Sequence, residues 1–543
     1  IRMSMISLLV FLPLLGLLLM ALLPKRVSSY QRYLALVICL GQLLLAGVFM
    51  LPAFLQSQGE GLGLASGTTT YHLIESVDWI HIGLGTLGSV DIDFALGVDG
   101  LGMMLVLLSA FIFPIAVLSS WKIDKSQKAY FMLLMLMNTA TFGVFTALDF
   151  FLFYLFFEFM LLPMFFLIGL WGGENREYAA LKFFIYTLVG SLLILLVMVG
   201  LLFSFQEGEN IYTLSFIELS QIGENGSWAN LLPEAVFASG NEILGFPARS
   251  FAFVLLLIGF AIKIPVVPLH TWLPDAHVEA GTPISVLLAA LLLKVGGYGF
   301  FRIIYGIFPD AVIEYSWWIG LLGLISLIYG AYVAMGQEDL KRMIAYSSVS
   351  HMGFVLLGMA SLESVGLQGA AYQLFTHGII SALLFLIAGV LYERVADRQI
   401  ENFKGLWELM PQYSVVVIIA FFASLGLPGL AAFISEVLVF MGAFQSESSM
   451  GGIPRWMAVL AVLGVILSAV YYLRAYRKMF FGKFDEGNTS NWRLKLVDLN
   501  PREYLMLVPL AIAIIYFGLF PSGILDLIDG DMARMSEFLG RFK

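Results

Sequence analysis

Glu158 stands in F-Y-L-F-F-E-F-M-L-L-P and Lys263 in G-F-A-I-K-I-P. Lys294 stands in L-L-L-K-V-G-G-Y-G and Glu436 in A-A-F-I-S-E-V-L. Each is an ionisable side chain inside an apolar run. His270, His351 and His377 lie in or beside runs of the same kind. A charge at mid-membrane costs about 2.5–3.5 kcal/mol on insertion scales, so such a residue needs a partner or a task. Glutamate, lysine and histidine all exchange protons, and burial drives lysines and carboxylates alike towards their neutral forms. Groups of this kind, joined by water, pass protons along the membrane plane or through it. For any single residue a structural role is the alternative. A Glu–Lys pair can simply hold two helices together. His270, beside Trp272-Leu273-Pro274-Asp275, can cap a broken helix, and His351 and His377 can bond neighbouring backbone. Bundle packing alone does not call for the whole set. No two of these histidines show a metal-ligand spacing on one helix. Lys182 and Asp149 fall at helix ends, where a charge reaches water, and are secondary.

The elements that must position these groups carry breaks. Pro265 and Pro268 follow Lys263, and Gly426, Pro428 and Gly429 precede Glu436. Proline removes a helical hydrogen bond and clashes with the preceding turn. In a membrane the freed carbonyls need polar partners. Discontinuous helices at matching positions of two repeats mark the transport site in many transporters. An ordinary proline kink is the bland reading; a charge close to each break favours the other.

The rest of the chain supplies the bundle. Of its 543 residues 60% are hydrophobic and only 12% charged, about half the charged share of a soluble protein. About fourteen runs are long and apolar enough to span a bilayer, the seventh near 249–269 and the twelfth near 412–444. Stretches 54–98 and 204–248 read as sizeable loops on one side. With the N-terminus outside, twenty Lys and Arg fall on the inner side and seven on the outer. Lys263 and Lys294, inside spans, complete the 29. That is the positive-inside pattern, with both termini outside. The first run, 4–23, has its positive cluster, Lys25 and Arg26, after it, unlike a signal peptide, and reads as a retained span.

The net charge of −9 does not suggest nucleic acid. The single cysteine, Cys39, cannot hold an iron–sulfur cluster, which takes four, so any redox chemistry belongs to another chain. Gly61, Gly63 and Gly67 lack the dinucleotide-binding spacing, and there is no H-E-x-x-H. The segment from Ala179, A-A-L-K-F-F-I-Y-T-L-V-G-S-L-L-I, is similar to A-A-Y-Q-L-F-T-H-G-I-I-S-A-L-L-F from Ala370. The expected architecture is all-α and polytopic, with two inverted five-helix repeats at 128–304 and 305–480. Segments 1–127 and 481–543 flank them.

Two long segments carry a family resemblance. A-I-K-I-P-V-V-P-L-H-T-W-L-P-D-A-H-V-E-A-G-T-P-I-S-V-L-L-A from Ala261 and D-L-K-R-M-I-A-Y-S-S-V-S-H-M-G from Asp339 resemble the signature of complex I antiporter-like subunits. Complex I is the proton-pumping respiratory NADH–quinone oxidoreductase. E-F-M-L-L-P-M-F-F-L-I-G-L-W-G-G and S-L-G-L-P-G-L-A-A-F-I-S-E are similar to the chain 4 branch, where the twelfth-helix site is glutamate instead of the usual lysine. The resemblance implies that Glu158 partners and tunes Lys263, the central proton carrier of the first repeat. Lys294 would connect the halves, with His270, His351 and His377 as relay candidates and Glu436 as exit carrier. It implies no cofactor on this chain; flavin, iron–sulfur clusters and quinone would sit on partner subunits. Partners would be other complex I membrane chains, including sister antiporter-like chains, and the lipid bilayer. The setting would be a bacterial inner membrane, with a thylakoid as the alternative. A sodium/proton antiporter or membrane-bound hydrogenase subunit and a structural scaffold are the rival readings.

Overall fold

The computed structural model describes residues 5–24, 30–83, 89–202, 211–224, 242–446, 451–484 and 492–542. Lys25, Arg26, Arg2, Lys543 and most of the 204–248 loop lie outside the described residues. The main helices are α1 (Met5–Leu22), α2 (Gln31–Gly59), α3 (Gly100–Ser119), α4 (Gln127–Thr146), α5 (Phe150–Trp171) and α6 (Arg176–Leu202). Next come α7 (Ala248–Lys263), α8 (Trp272–Glu279) and α9 (Thr282–Ile307). Then follow α10 (Pro309–Met335), α11 (Leu340–Ala360) and α12 (Ser364–Val395). The last are α13 (Pro411–Ser424), α14 (Ala431–Gln445), α15 (Arg455–Phe480), α16 (Pro501–Leu519) and α17 (Ser522–Gly540).

Twelve helices among the described residues are long and apolar enough to cross a membrane. The expected seventh and twelfth spans are not among them, because each is divided. α7 ends at Lys263 and α8 starts at Trp272, with non-helical backbone over the segment holding Pro265 and Pro268. α13 ends at Ser424 and α14 starts at Ala431, separated by Gly426, Pro428 and Gly429. The prolines and glycines that mark these breaks in the sequence therefore set them in the fold. α9 and α12 run through the middle, every residue of their most apolar windows buried. α1, α2, α6, α15 and α16 are the outer layer, with large apolar side chains on the surface, as lipid-facing helices require.

Some of the described residues form strands. Thr70–Gly83 (β1) and Ser89–Val98 (β2) pair antiparallel, and Ile211–Thr213 (β3) joins β2 in parallel. The sequence reads these segments as plain loops. Their polar and apolar residues alternate (S-V-D-I-D-F-A), and that period of two suits a half-buried strand. The pairing of β2 with β3 places the two expected loops together on one side. The tail beyond the last span is also ordered, as α17 packed against α3.

Close helix contact in the second half runs through glycines, Gly323 and Gly353 among them. A Cβ on Gly353 would lie 2.6 Å from the Gly323 carbonyl oxygen and 2.6 Å from the Leu327 nitrogen, so α10 and α11 meet backbone to backbone. Gly353→Val should therefore destabilise the purified protein by about 1–3 kcal/mol through overpacking. A lowered midpoint in a thermal unfolding scan checks this; an unchanged midpoint would show that the helices have room to part.

A buried row of proton-exchanging side chains

Lys294 sits on α9, fully buried. α9 is wound wide on both sides of it, at Leu288–Leu292 and Phe300–Ile304, where bonds skip to the fifth residue. Its Nζ donates to the Ala289 carbonyl at 2.6 Å and lies 2.7 Å from His377 Nδ1. With the ammonium donating, His377 is held as the Nε2–H tautomer. The His377 ring lies 5.5 Å, centroid to centroid, from that of His351 on α11. His351 Nδ1 is 3.9 Å from Glu436 Oε1, and its Nε2 is 3.1 Å from Ser424 Oγ at the end of α13. Four buried groups from α9, α12, α11 and α14 thus form one continuous row. Polar side chains accompany it. Ser424 donates to the Tyr472 hydroxyl at 2.7 Å, and Tyr472 to Ser347 at 3.0 Å. Gln373, one turn before His377, contacts His351 Nδ1 at 3.4 Å and also accepts from Ser435.

The break between α13 and α14 shapes the Glu436 end. Gly426 has φ +76°, and a Cβ there would lie 2.3 Å from Glu436 Oε2. Only glycine both adopts this turn and leaves the carboxylate its space.

At the other break, Lys263 is the last residue of α7 and is buried. Its Nζ lies 4.3 Å from the centre of the Phe157 ring, a cation–π contact with the residue beside Glu158. The Glu158 carboxylate acts on Lys263 through space, but no ion pair within 4 Å joins them among the described residues. Glu158 Oε1 is buried without a hydrogen-bond partner among the described residues. A Cβ on Gly296, two residues beyond Lys294, would be 3.0 Å from Lys263 Cβ, so the two lysines lie on adjoining stretches of α7 and α9.

His270 is not brought into the row. It lies in the break, edge-on to Tyr329 and Tyr346 with ring centroids at 5.4 and 6.0 Å. Asp275 on α8 is the anchor there, bonding Lys182 at 2.7 Å and Arg342 at 3.1 Å. Asp149 accepts from the Phe151 and Leu152 amides and caps α5.

Two buried groups close to Lys294 or the α7–α8 segment escape a reading of the sequence. His277 on α8 is fully buried, stacks on Phe385 at 4.3 Å, and has neither ring nitrogen bonded among the described residues. It lies within electrostatic reach of Lys294, Lys341 and His377. Its signals are its place seven residues after His270 and inside the segment from Ala261 that carries the family resemblance. Lys341 reads as an inner-loop charge, yet it is buried and donates to the Ala280 carbonyl at 2.9 Å. Asp339 caps the start of α11, so Lys341 falls on the first turn facing inward.

Comparison with known proteins adds three findings. Residues 147–468 match the family model described as "NADH:quinone oxidoreductase/Mrp antiporter, TM". The chain is 39% identical over 462 residues to the NADH-quinone oxidoreductase subunit M of Rickettsia bellii (strain RML369-C), covering 85% of each. It is 36% identical to the NAD(P)H-quinone oxidoreductase chain 4 2 of Thermosynechococcus vestitus (strain NIES-2133 / IAM M-273 / BP-1), covering 95% of this chain and 89% of that one. A chain in the structure of respiratory complex I from Thermus thermophilus with bound NADH superposes with a TM-score of 0.77 at 29% identity, over 98% of this chain and 99% of that chain.

Gly426→Ala should cost about 1–3 kcal/mol locally in backbone strain and push the Glu436 carboxylate off His351. In assembled complex the expected result is a clear loss of proton pumping. Undiminished pumping would show that the Glu436–His351 approach is not needed.

Proposed function

Because the chain belongs to the NADH:quinone oxidoreductase/Mrp antiporter transmembrane family, in its subunit M (chain 4) branch, we propose that it pumps protons through its buried row. In this reading it is a membrane-arm subunit of a respiratory NADH–quinone oxidoreductase. Quinone reduction on other subunits drives the movement. The observation that carries the proposal is the continuity of Lys294, His377, His351 and Glu436, four proton-exchanging groups buried side by side. A scaffold would not need such a row, since a buried charge costs several kcal/mol and apolar packing is cheaper.

Each residue takes a role from its place. Lys263, at the α7 break, holds a proton in the first half, with Glu158 nearby as its partner. Lys294 receives from that half. His377 and His351 shuttle, each imidazole having one nitrogen to give a proton and one to take it. Glu436, at the α13–α14 break, releases. His270 stands beside the first break and tunes it, without being a link of the row. In this account residues 128–304 and 305–480 are two repeats inverted in the membrane, with one broken helix each, and the complete count is fourteen spans.

Electron transfer belongs to partner subunits, which carry flavin, iron–sulfur clusters and quinone. This chain contributes no redox centre and meets its sister antiporter-like chains side by side in the bilayer. The positive-inside balance puts both termini, and the β1–β2 hairpin, on the outer side of a bacterial inner membrane.

The test is proton pumping by membrane vesicles carrying Lys263→Ala, with assembly checked on a native gel. Normal assembly with strongly reduced pumping and slowed quinone-linked oxidation is expected. Unchanged assembly with unchanged pumping would make Lys263 structural and remove the basis of the proposal.

A further inference from the structure

A second buried charge cluster lies at the end of α9 towards the hairpin, apart from the row. Lys294, Tyr298 and Arg302 follow one another at four-residue intervals on α9, and eight residues of helix cover about 12 Å. Arg302 is buried and pairs with Asp99, the N-cap of α3, at 2.7 Å. It also donates to the Tyr298 hydroxyl at 3.2 and 3.1 Å and to the Tyr71 hydroxyl at 2.9 Å. Beside Asp99 lies a second buried carboxyl, Asp531 on α17. Two carboxyl groups therefore face one guanidinium.

The hydrogen bonds account for the remaining charge. Asp99 Oδ1 takes Arg302 and the Gly102 amide, the latter at 2.8 Å. Asp531 Oδ2 takes the Gly100 amide at 2.7 Å. The Thr69 hydroxyl lies between the two acids, 3.0 Å from Asp99 Oδ2 and 2.6 Å from Asp531 Oδ1. A hydroxyl has one proton to donate. Both contacts are hydrogen bonds only if one carboxyl carries a proton of its own. Asp99 holds the guanidinium, so the proton belongs on Asp531 Oδ1, donating to Thr69, which donates on to Asp99.

We propose that Asp531 is a proton-binding site at the outer end of α9, from which a proton reaching the Lys294–Tyr298–Arg302 face is released to the outer compartment. The inference rests on the proton-pumping reading and adds to it an outlet in the first half, separate from Glu436. Asp531 lines a cavity of about 260 Å³ with Gln58, Thr70, His72, Gly100 and Arg534, which gives the proton a way out. The charged or titratable groups facing it are Asp99, Arg302 and Tyr71, then His72 on β1 and Arg534 on α17, with Tyr298 behind Arg302. Burial first, and the Asp99 carboxylate second, push the Asp531 carboxyl well above the ordinary carboxylate range. In the release step the Oδ1–H bond breaks and the proton passes to solvent in the cavity. The carboxylate left behind faces Arg302 together with Asp99, a net negative pair that favours rebinding a proton.

Asp531→Asn keeps the acceptor for Gly100 and a donor for Thr69 while removing the titration. The experiment uses the whole complex in inverted vesicles, whose lumen is the outer compartment. The parent should lose pumping as the lumen is acidified, and should show an infrared band of a protonated carboxyl that titrates with lumen pH. Asp531→Asn should assemble, lack that band, and pump weakly with no such pH dependence. A band and pH profile identical to the parent's would overturn the proposal. If Asp531→Asn fails to assemble, Thr69→Val decides: a shifted carboxyl band supports the bridge, and an unshifted one overturns it. Lys263→Ala, measured alongside, separates the two levels. Loss of pumping there with parental Asp531→Asn behaviour defeats this outlet alone, whereas full pumping in Lys263→Ala defeats the underlying reading.

Discussion

Taking an ionisable group out of water is the cost around which this protein is arranged. Lys294 and Glu436 are nine-tenths or more buried in a bundle whose surroundings are hydrocarbon. A lone charge there is unfavourable, and each group is held only because another polar group lies within reach. Lys294 has His377 and a backbone carbonyl, His351 has Ser424, and Glu436 has His351. The partners that make burial tolerable are themselves proton-exchanging groups. The groups that meet the electrostatic demand are the ones the proposed path uses.

The broken helices follow from the same demand. An unbroken helix satisfies most of its own backbone, whereas a break frees backbone groups and space. Where α13 gives way to α14, Gly426 turns with positive φ and leaves room against the Glu436 carboxylate. Where α7 ends, Lys263 stands at the helix terminus, facing Phe157 instead of a fixed counter-ion. A cation–π contact is weaker than a close ion pair.

The row was legible in the sequence because a glutamate or lysine inside twenty apolar residues is conspicuous, and the breaks because proline and glycine act locally. Lys263, Lys294 and Glu436 stand out this way, and His351 and His377 as histidines in or beside apolar runs. His277 and Lys341 do not, because their burial is tertiary: α8 tucks beneath α12, and the cap at Asp339 turns Lys341 inward. Arg302 counted as an outer charge at a helix end, yet Asp99, Tyr71 and Tyr298 enclose it. Asp531 lay in a polar tail with nothing to mark it, since its partners Asp99 and Thr69 are more than 400 residues away. The strands of 70–98 were hidden for a related reason. Their alternation is a weak local signal, and β3, which completes the sheet, comes from beyond residue 210.

The central claim is that the buried row is a conductor and not a brace. Lys294 is the end of the row nearest Lys263, so the most direct test is proton pumping and quinone-linked oxidation by assembled complex carrying Lys294→Met. Methionine keeps the length and apolar stem and removes the exchangeable proton. Intact assembly with pumping lost and oxidation slowed is the result this account predicts. Intact assembly with parental pumping would contradict it, because the row would then be cut and protons would still cross.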